Sequence, residues 1–141
     1  KLLQEGKTQM ATLKRPITKE DEMHDPNVVK VVTDDADRAL YFSRSPIPHQ
    51  QTFSPKDAWA HLGIYAYQRE TLLKLSQIPR HPLEDHEKLE QLRALAMGLP
   101  ITVKPAMSMA RGIDTAEDLT WAQDYVQKIG ADAFPQFSTQ K

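Results

Sequence analysis

The chain contains no cysteine, so a disulfide framework, a cysteine nucleophile and a thiolate zinc site are all excluded. It has no excess of either charge. Lys and Arg total 18 against 19 Asp and Glu, which gives no reason to expect a nucleic-acid or membrane surface. No apolar run approaches the length needed to span a bilayer, and no signal-peptide pattern is legible. The cytoplasm is therefore the expected compartment. Internal repeats and low-complexity tracts are missing, as are a Walker-type phosphate loop, a G-x-G-x-x-G fingerprint and an H-E-x-x-H helix. What remains is a chain of 141 residues, long enough for one domain with a real core.

The stretch His61-Leu62-Gly63-Ile64-Tyr65-Ala66-Tyr67 reads as a strand, because β-branched and aromatic residues pack well on a pleated surface. Strand side chains alternate between faces. His61, Gly63, Tyr65 and Tyr67 are expected on one face, able to hold a polar ligand. Leu62, Ile64 and Ala66 are expected on the other, against a core. A helix follows at once, to about Ser76. That arrangement places the polar face near the carboxyl end of a strand in an α/β sheet, where such folds bind ligands.

The rest of the chain supplies the sheet's other parts. Lys1 to Glu5 suggests a helix closed by Gly6, and a chain opening inside a helix reads as a fragment or a cleaved product. Thr8–Leu13 suits a short strand. Thr18, Glu20 and Asp21 resemble a capping box opening a helix to about Met23. Val28–Thr33 is a strand, Asp34–Asp37 an acidic hairpin turn, and Arg38–Ser43 the antiparallel return. Pro46 and Pro48 end it, because proline cannot donate to a ladder. Leu83 to Met97 reads as one helix, with Leu89, Leu92, Leu95 and Ala96 at core spacing and Gly98 as its stop. Ile101–Lys104 is a strand. Thr115 caps a last helix from Ala116 to about Ile129, and the tail from Ala131 is expected to be loose. Strands and helices mix without strict alternation, so the expected fold class is α/β, a mixed sheet flanked by helices.

Several residues are candidates for chemistry. Arg44 ends a strand just before two prolines; its guanidinium can fork onto a carboxylate or phosphate, or pair with a nearby acid. His61 and Tyr65 share a strand face, as ligands or as hydrogen-bonded core residues. Glu84, Asp85, Glu87, Glu90 and Gln91 form an acidic stretch that a solvated helix face would explain, but Glu90 and Gln91 adjoin the Leu89/Leu92 stripe. Asp114 lies between a glycine turn and a helix start, and Thr115 can serve as the cap. That leaves the Asp114 carboxylate available to a metal, although one carboxylate makes a poor Mg²⁺ site without a second ligand or substrate phosphates.

Six segments in order resemble one family, the 3-deoxy-manno-octulosonate cytidylyltransferases, or CMP-KDO synthetases. They are Met10-Ala11-Thr12-Leu13 with Pro16-Ile17; Asp25 to Asp34; Ala39 to Pro48; His61 to Tyr67; Leu89-Glu90-Gln91-Leu92-Arg93; and Gly112-Ile113-Asp114-Thr115-Ala116-Glu117-Asp118-Leu119. The resemblance implies a Rossmann-like nucleotide-diphospho-sugar-transferase fold. It implies that CTP activates KDO, an acidic eight-carbon sugar of bacterial lipopolysaccharide, to CMP-KDO and pyrophosphate, with Mg²⁺. By the family's pattern Arg44 serves the anionic sugar and reacting phosphates, His61 and Tyr65 hydrogen-bond the sugar, Glu90 and Gln91 read its hydroxyls, and Asp114 holds Mg²⁺.

The family's R-x-G-S-x-R-x-P-x-K-type loop and Q-G-D-E-P motif do not occur in this sequence. Residues 1–130 are thus expected to be the sugar-binding, dimer-forming C-terminal half, with 131–141 as a tail. Alone it is expected to be inactive; a separate N-terminal fragment would supply the CTP cradle. His49-Gln50-Gln51 depart from the acidic residue and arginine usual after the Pro-Ile-Pro-type turn, which leaves room for a related acceptor such as an 8-amino-KDO or a sialic acid. A non-catalytic sugar-binding or dimerising fragment is the other expectation.

Overall fold

A computed structural model describes residues 8–106, Ile113 and residues 116–129. The chain divides into two compact units, Lys1–Ala110 and Arg111–Lys141. The expected N-terminal helix, the Thr115 cap, Asp114 and the tail lie outside the described residues.

The first unit is built on a five-stranded mixed sheet in the order β3-β2-β4-β1-β5. The strands are β1 (Met10–Pro16), β2 (Lys30–Thr33), β3 (Ala39–Ser43), β4 (Trp59–Tyr67) and β5 (Ile101–Pro105). β5 runs parallel to β1, and the other neighbours are antiparallel. The helices are α1 (Glu20–His24), α2 (Arg69–Ser76), α3 (Pro82–Glu87) and α4 (Gln91–Ala96). This is the expected mixed α/β architecture.

The β2–β3 hairpin forms where the acidic turn predicts it. Asp34 Oδ1 accepts from the backbone N–H groups of Ala36 and Arg38, which closes the loop. The hairpin does not lie flat beside β4. It pairs with β4 only near Lys30–Ala60, then crosses the sheet so that the Val103 N–H donates to the Asp37 carbonyl at 2.8 Å. Lys14 marks the crossing from below: its ammonium donates to Thr33 Oγ1, lies 3.6 Å from Asp37 and sits over the Trp59 ring. The principal core fills the space under the hairpin, with Met10, Val31, Phe42, Leu89, Leu92, Ile101 and Val103 all buried. A smaller cluster of Ile17, Met23, Ala58 and Ala60 packs on the other face of the sheet.

Three sequence expectations need correction. Leu83–Met97 is two helices, not one. Lys88 takes a left-handed conformation (φ 55°) that ends α3 and lets α4 start afresh. The break rotates the later residues, so Ala94 is buried and Ala96 exposed. Gly98, at φ 74°, closes α4 as expected; the Leu99 N–H donates to Ala94 O and the Gly98 N–H to Leu95 O. The Thr18 capping box is displaced by one residue. Lys19 is the cap position without a side-chain bond, and Glu22 reaches back to the backbone of Thr18 and Lys19. The third correction is in β4. Opposite Thr12 and Leu13 the register jumps from Tyr65 to Leu62, so β4 carries a bulge at Gly63-Ile64. Leu62 is buried as expected, but Ile64 is 62% exposed and Ala66 is exposed as well.

The second unit contributes α5 (Ala116–Ile129), in which Trp121 and Tyr125, one turn apart, stack at 5.3 Å between ring centroids.

Candidate functional site

The face of β4 expected to be polar is an aromatic row that packs on the principal core, with Tyr65 and Tyr67 against it, whereas the face expected to be apolar is exposed at Ile64 and Ala66. His61 lies 5.4 Å from Tyr65, and Tyr65 lies 5.9 Å from Tyr67, between ring centroids. The bulge leaves His61, Tyr65 and Tyr67 on the same side, since it adds an even number of residues. Phe42 of β3 meets the imidazole edge-on at 4.9 Å. Burial works on every ionisable group in the row. It pushes the His61 imidazole down to about 4, from an ordinary 6.5, so His61 is neutral at physiological pH. It pushes the phenols of Tyr65 and Tyr67 up, helped in both cases by the Glu90 carboxylate.

The row leads to a small cleft of about 90 Å³ bordered by Tyr67, Leu72, Leu75, Glu90 and Gln91. The start of α4 places both acidic-stretch candidates there: Glu90 stands at the N-cap position without a side-chain bond, and Gln91 is the first helical residue. Their environments differ. Glu90 is open to solvent, its side chain 85% exposed and 3.9 Å from Arg93. Gln91 is buried, and its Nε2 has no hydrogen-bond partner; among the described residues it is the one buried side-chain nitrogen or oxygen in that state. Such a group costs about 1–3 kcal/mol unless something supplies an acceptor.

Of the other acids, Asp85 is solvated as expected, but Glu84 and Glu87 are not. Glu84 is buried and grips Arg93 through two bonds of 2.8 and 2.6 Å. Glu87 clamps the end of β3: Oε1 accepts from the Ser43 hydroxyl at 2.6 Å and Oε2 from the Arg44 N–H at 2.9 Å. Arg44 itself is turned toward the protein. Its Nε donates to the Glu87 carbonyl and its guanidinium NH1 to the Pro26 carbonyl. The structure thus brings His61, Tyr65, Glu90 and Gln91 onto one row and cleft. It places Arg44 at the end of β3 in a bracket of its own. Asp114 falls outside the described residues.

One residue, Thr12, and one role, that of Glu87 as the bracket of Arg44, escaped the sequence reading. Thr12 is buried beneath the bulge, its hydroxyl 2.9 Å from His61 Nε2. A glycine inside a strand signals a bulge, and Gly63 was that signal. Glu87, as the Arg44 bracket, left no sequence signal. Gln50, which stands in the departing loop, is spent locally: its side chain bonds the N–H and carbonyl of Ser54. Among the described residues no three His, Asp or Glu side chains converge on a point, so they offer Mg²⁺ no cage. No helix among them is long and apolar enough to cross a membrane.

Comparison with known proteins places this geometry. A family model described as cytidylyltransferase matches residues 1–103. The chain is 43% identical over 129 residues to a 3-deoxy-manno-octulosonate cytidylyltransferase of Syntrophotalea carbinolica, covering 85% of this chain and 52% of the relative. It is 49% identical over 119 residues to the protein of that name from Solibacter usitatus, covering 84% and 47%. A solved structure of CMP:2-keto-3-deoxy-manno-octonic acid synthetase complexed with CTP superposes with a TM-score of 0.82 at 34% identity, over 92% of this chain and 53% of that one. The chain spans about half the length of the curated relatives it matches.

Proposed function

Since this chain belongs to the cytidylyltransferase family, we propose that it is the acidic-sugar-binding part of an enzyme that joins KDO to CMP at the expense of CTP. The observation that carries this reading is Gln91 Nε2, a buried donor without an acceptor, on a cleft that it shares with Tyr67 and Glu90. A polyhydroxylated sugar supplies what that donor wants. The Glu90 carboxylate accepts from sugar hydroxyls, and the row from Tyr67 to His61 gives a face of rings edged with polar atoms. Named relatives and the CTP-bound neighbour supply the reaction class.

In that reaction the anomeric hydroxyl of KDO gives up its proton to solvent as its oxygen attacks the α-phosphorus of CTP. A new C–O–P link forms, the α–β anhydride bond breaks, and pyrophosphate leaves. Such a transfer depends on alignment and on offsetting charge more than on covalent help from the protein. The residues here fit the alignment task. Gln91, Glu90 and Tyr65 would fix the sugar ring, and His61, being neutral, would bind a hydroxyl rather than neutralise the sugar carboxylate. Arg44, held rigid by Glu87, would be the cation for the sugar carboxylate or the reacting phosphates. On this reading Mg²⁺ would be held by Asp114 together with substrate phosphates and would offset their charge. Assembly as a homodimer, joined by a segment that binds CTP, and residence in the cytoplasm belong to the same proposal.

Titration of the chain with KDO by calorimetry tests it. Saturable binding is expected, and Gln91→Leu should weaken it about 5- to 30-fold, the worth of 1–2 kcal/mol in one lost hydrogen bond. No binding, or binding indifferent to Gln91→Leu, would refute the assignment. The chain alone should make no CMP-KDO from CTP and KDO. Product formed without a second segment would show that the chain carries its own nucleotide site.

A further inference from the structure

We propose that Thr12 is a positioning residue for His61: it fixes the imidazole with its proton on Nε2, so that Nδ1 faces the sugar as a hydrogen-bond acceptor. The proposal rests on the sugar-site reading above and adds a specificity rule to it.

The geometry leaves the hydroxyl of Thr12 little choice. The bulge in β4 turns two carbonyls toward it, Ile64 O at 2.8 Å and Leu62 O at 3.0 Å, while His61 Nε2 stands at 2.9 Å. A threonine hydroxyl has one hydrogen to give and two lone pairs to receive. Carbonyl oxygens only accept, so that hydrogen is committed to them. Were Nε2 also an acceptor, three acceptors would crowd one hydrogen. Nε2 must therefore carry the ring proton and donate to Thr12 Oγ1. The ring cannot easily turn to escape this, because Phe42 and Tyr65 brace it on two sides.

The other nitrogen follows by exclusion. Nδ1 takes no hydrogen bond from the described residues, yet the buried side-chain atom without a partner among them is Gln91 Nε2. Nδ1 is therefore not fully sealed, on a ring that is itself only partly buried. The ionisable neighbours do not compete for it. Lys14, opposite His61 on β1, sends its ammonium to Thr33 and Asp37, and Glu90 acts on the row through Tyr65 and Tyr67. A lone pair on a neutral ring accepts from O–H and repels an anionic oxygen. This position therefore selects a hydroxyl of the sugar, and it excludes the carboxylate from this end of the row.

Long-range ¹H–¹⁵N spectra of the labelled full chain test the tautomer directly. The His61 signal, assigned by its loss in His61→Asn, should be that of an Nε2–H imidazole and should not change between pH 5.5 and 8. Thr12→Ser should keep it; Thr12→Val should lose it to a mixture or to Nδ1–H. Overturning results are an Nδ1–H signal, a titration near 6.5 in the unaltered chain, or a Thr12→Val spectrum like the parent's. Should Thr12→Val fail to fold, the parent and Thr12→Ser spectra still decide. In parallel, Thr12→Val should weaken KDO binding at least fivefold, with Thr12→Ser restoring it to within twofold. Unchanged KDO affinity with an altered tautomer would overturn the claim that Nδ1 meets the sugar. No KDO binding by the parent chain would instead refute the sugar-site reading and leave the tautomer lock standing.

Discussion

Replacing Glu84 by glutamine should destabilise the first unit by about 2–3 kcal/mol, and the reason is Arg93. The Glu84 side chain is 8% exposed and that of Arg93 15%, so the pair exchanges its two bonds largely out of water. Removing one partner of a buried pair costs roughly 3–5 kcal/mol, because the remaining charge is stranded. Here the cost is reduced, since NH1 of Arg93 also donates to Ile78 O at 3.2 Å and reaches Leu75 O at 3.4 Å. Those bonds make Arg93 the tie between the end of α2, α3 and α4. Urea unfolding of the parent chain and the variant at pH 7 gives the difference. Glu84→Leu with Arg93→Met should recover most of the loss, to within about 1 kcal/mol, because an apolar pair strands no charge. The pH dependence adds a second check. The hydrogen bond from Arg93 holds the Glu84 carboxyl below its ordinary 4.5. A depressed carboxyl contributes stability above the unfolded value and loses it as pH falls below, so the gap between parent and Glu84→Gln should narrow under pH 4.5. A gap below about 0.5 kcal/mol at pH 7, or a double variant worse than the single one, would refute the argument.

Other outcomes follow from particular residues. His61 falls from 6.5 to about 4 on folding, so it favours the folded state above pH 6.5 and withdraws up to about 3 kcal/mol as pH drops through that window; a His61→Asn chain should show a flatter urea midpoint between pH 6.5 and 4. Lys30, wholly buried, donates to the carbonyls of Asp25 and Val28; Lys30→Met should cost about 1–3 kcal/mol by orphaning them, and a stabilised variant would contradict this. A Cβ on Gly63 meets nothing within 4 Å, whereas Gly98 sits at φ 74°. Thermal melts should show Gly63→Ala near neutral and Gly98→Ala costing about 1 kcal/mol.

Local chemistry made much of this fold readable. The Asp34–Asp37 turn, the Gly98 stop and the apolar runs of the strands are decided by neighbours in sequence. The break at Lys88 is not. Periodicity from Leu83 to Met97 supports one helix, and what divides it is tertiary: Glu84 holds Arg93 while Glu87 holds Ser43 and Arg44. A straight helix could not aim its residues at all of these. The same holds for β4, where alternation alone puts Ile64 in the core and a bulge fixed by Thr12 puts it outside. For the site, residue types sufficed to bring forward His61, Tyr65, Glu90 and Gln91. That one amide nitrogen of Gln91 lacks an acceptor, and that Arg44 is bracketed from behind, are facts of packing that no residue pattern encodes.

The crossing hairpin has a consequence for the order in which the molecule is made. β1 lies between β4 and β5, and the tip of the β2–β3 hairpin is fastened to β5 through Val103 and the Arg38–Thr102 bridge. β5 emerges from the ribosome well after its partners. Between the ends of β4 and β5, synthesis at roughly 5–20 residues per second leaves an interval of about 2–8 s. During it, β1 presents an unpaired edge and the hairpin has nothing to close on. The nascent chain is then a half-open sheet, with Met10 and Phe42 unable to reach their final burial. β5 acts as a latch, and the yield of folded protein should depend on how well that edge is shielded until it arrives.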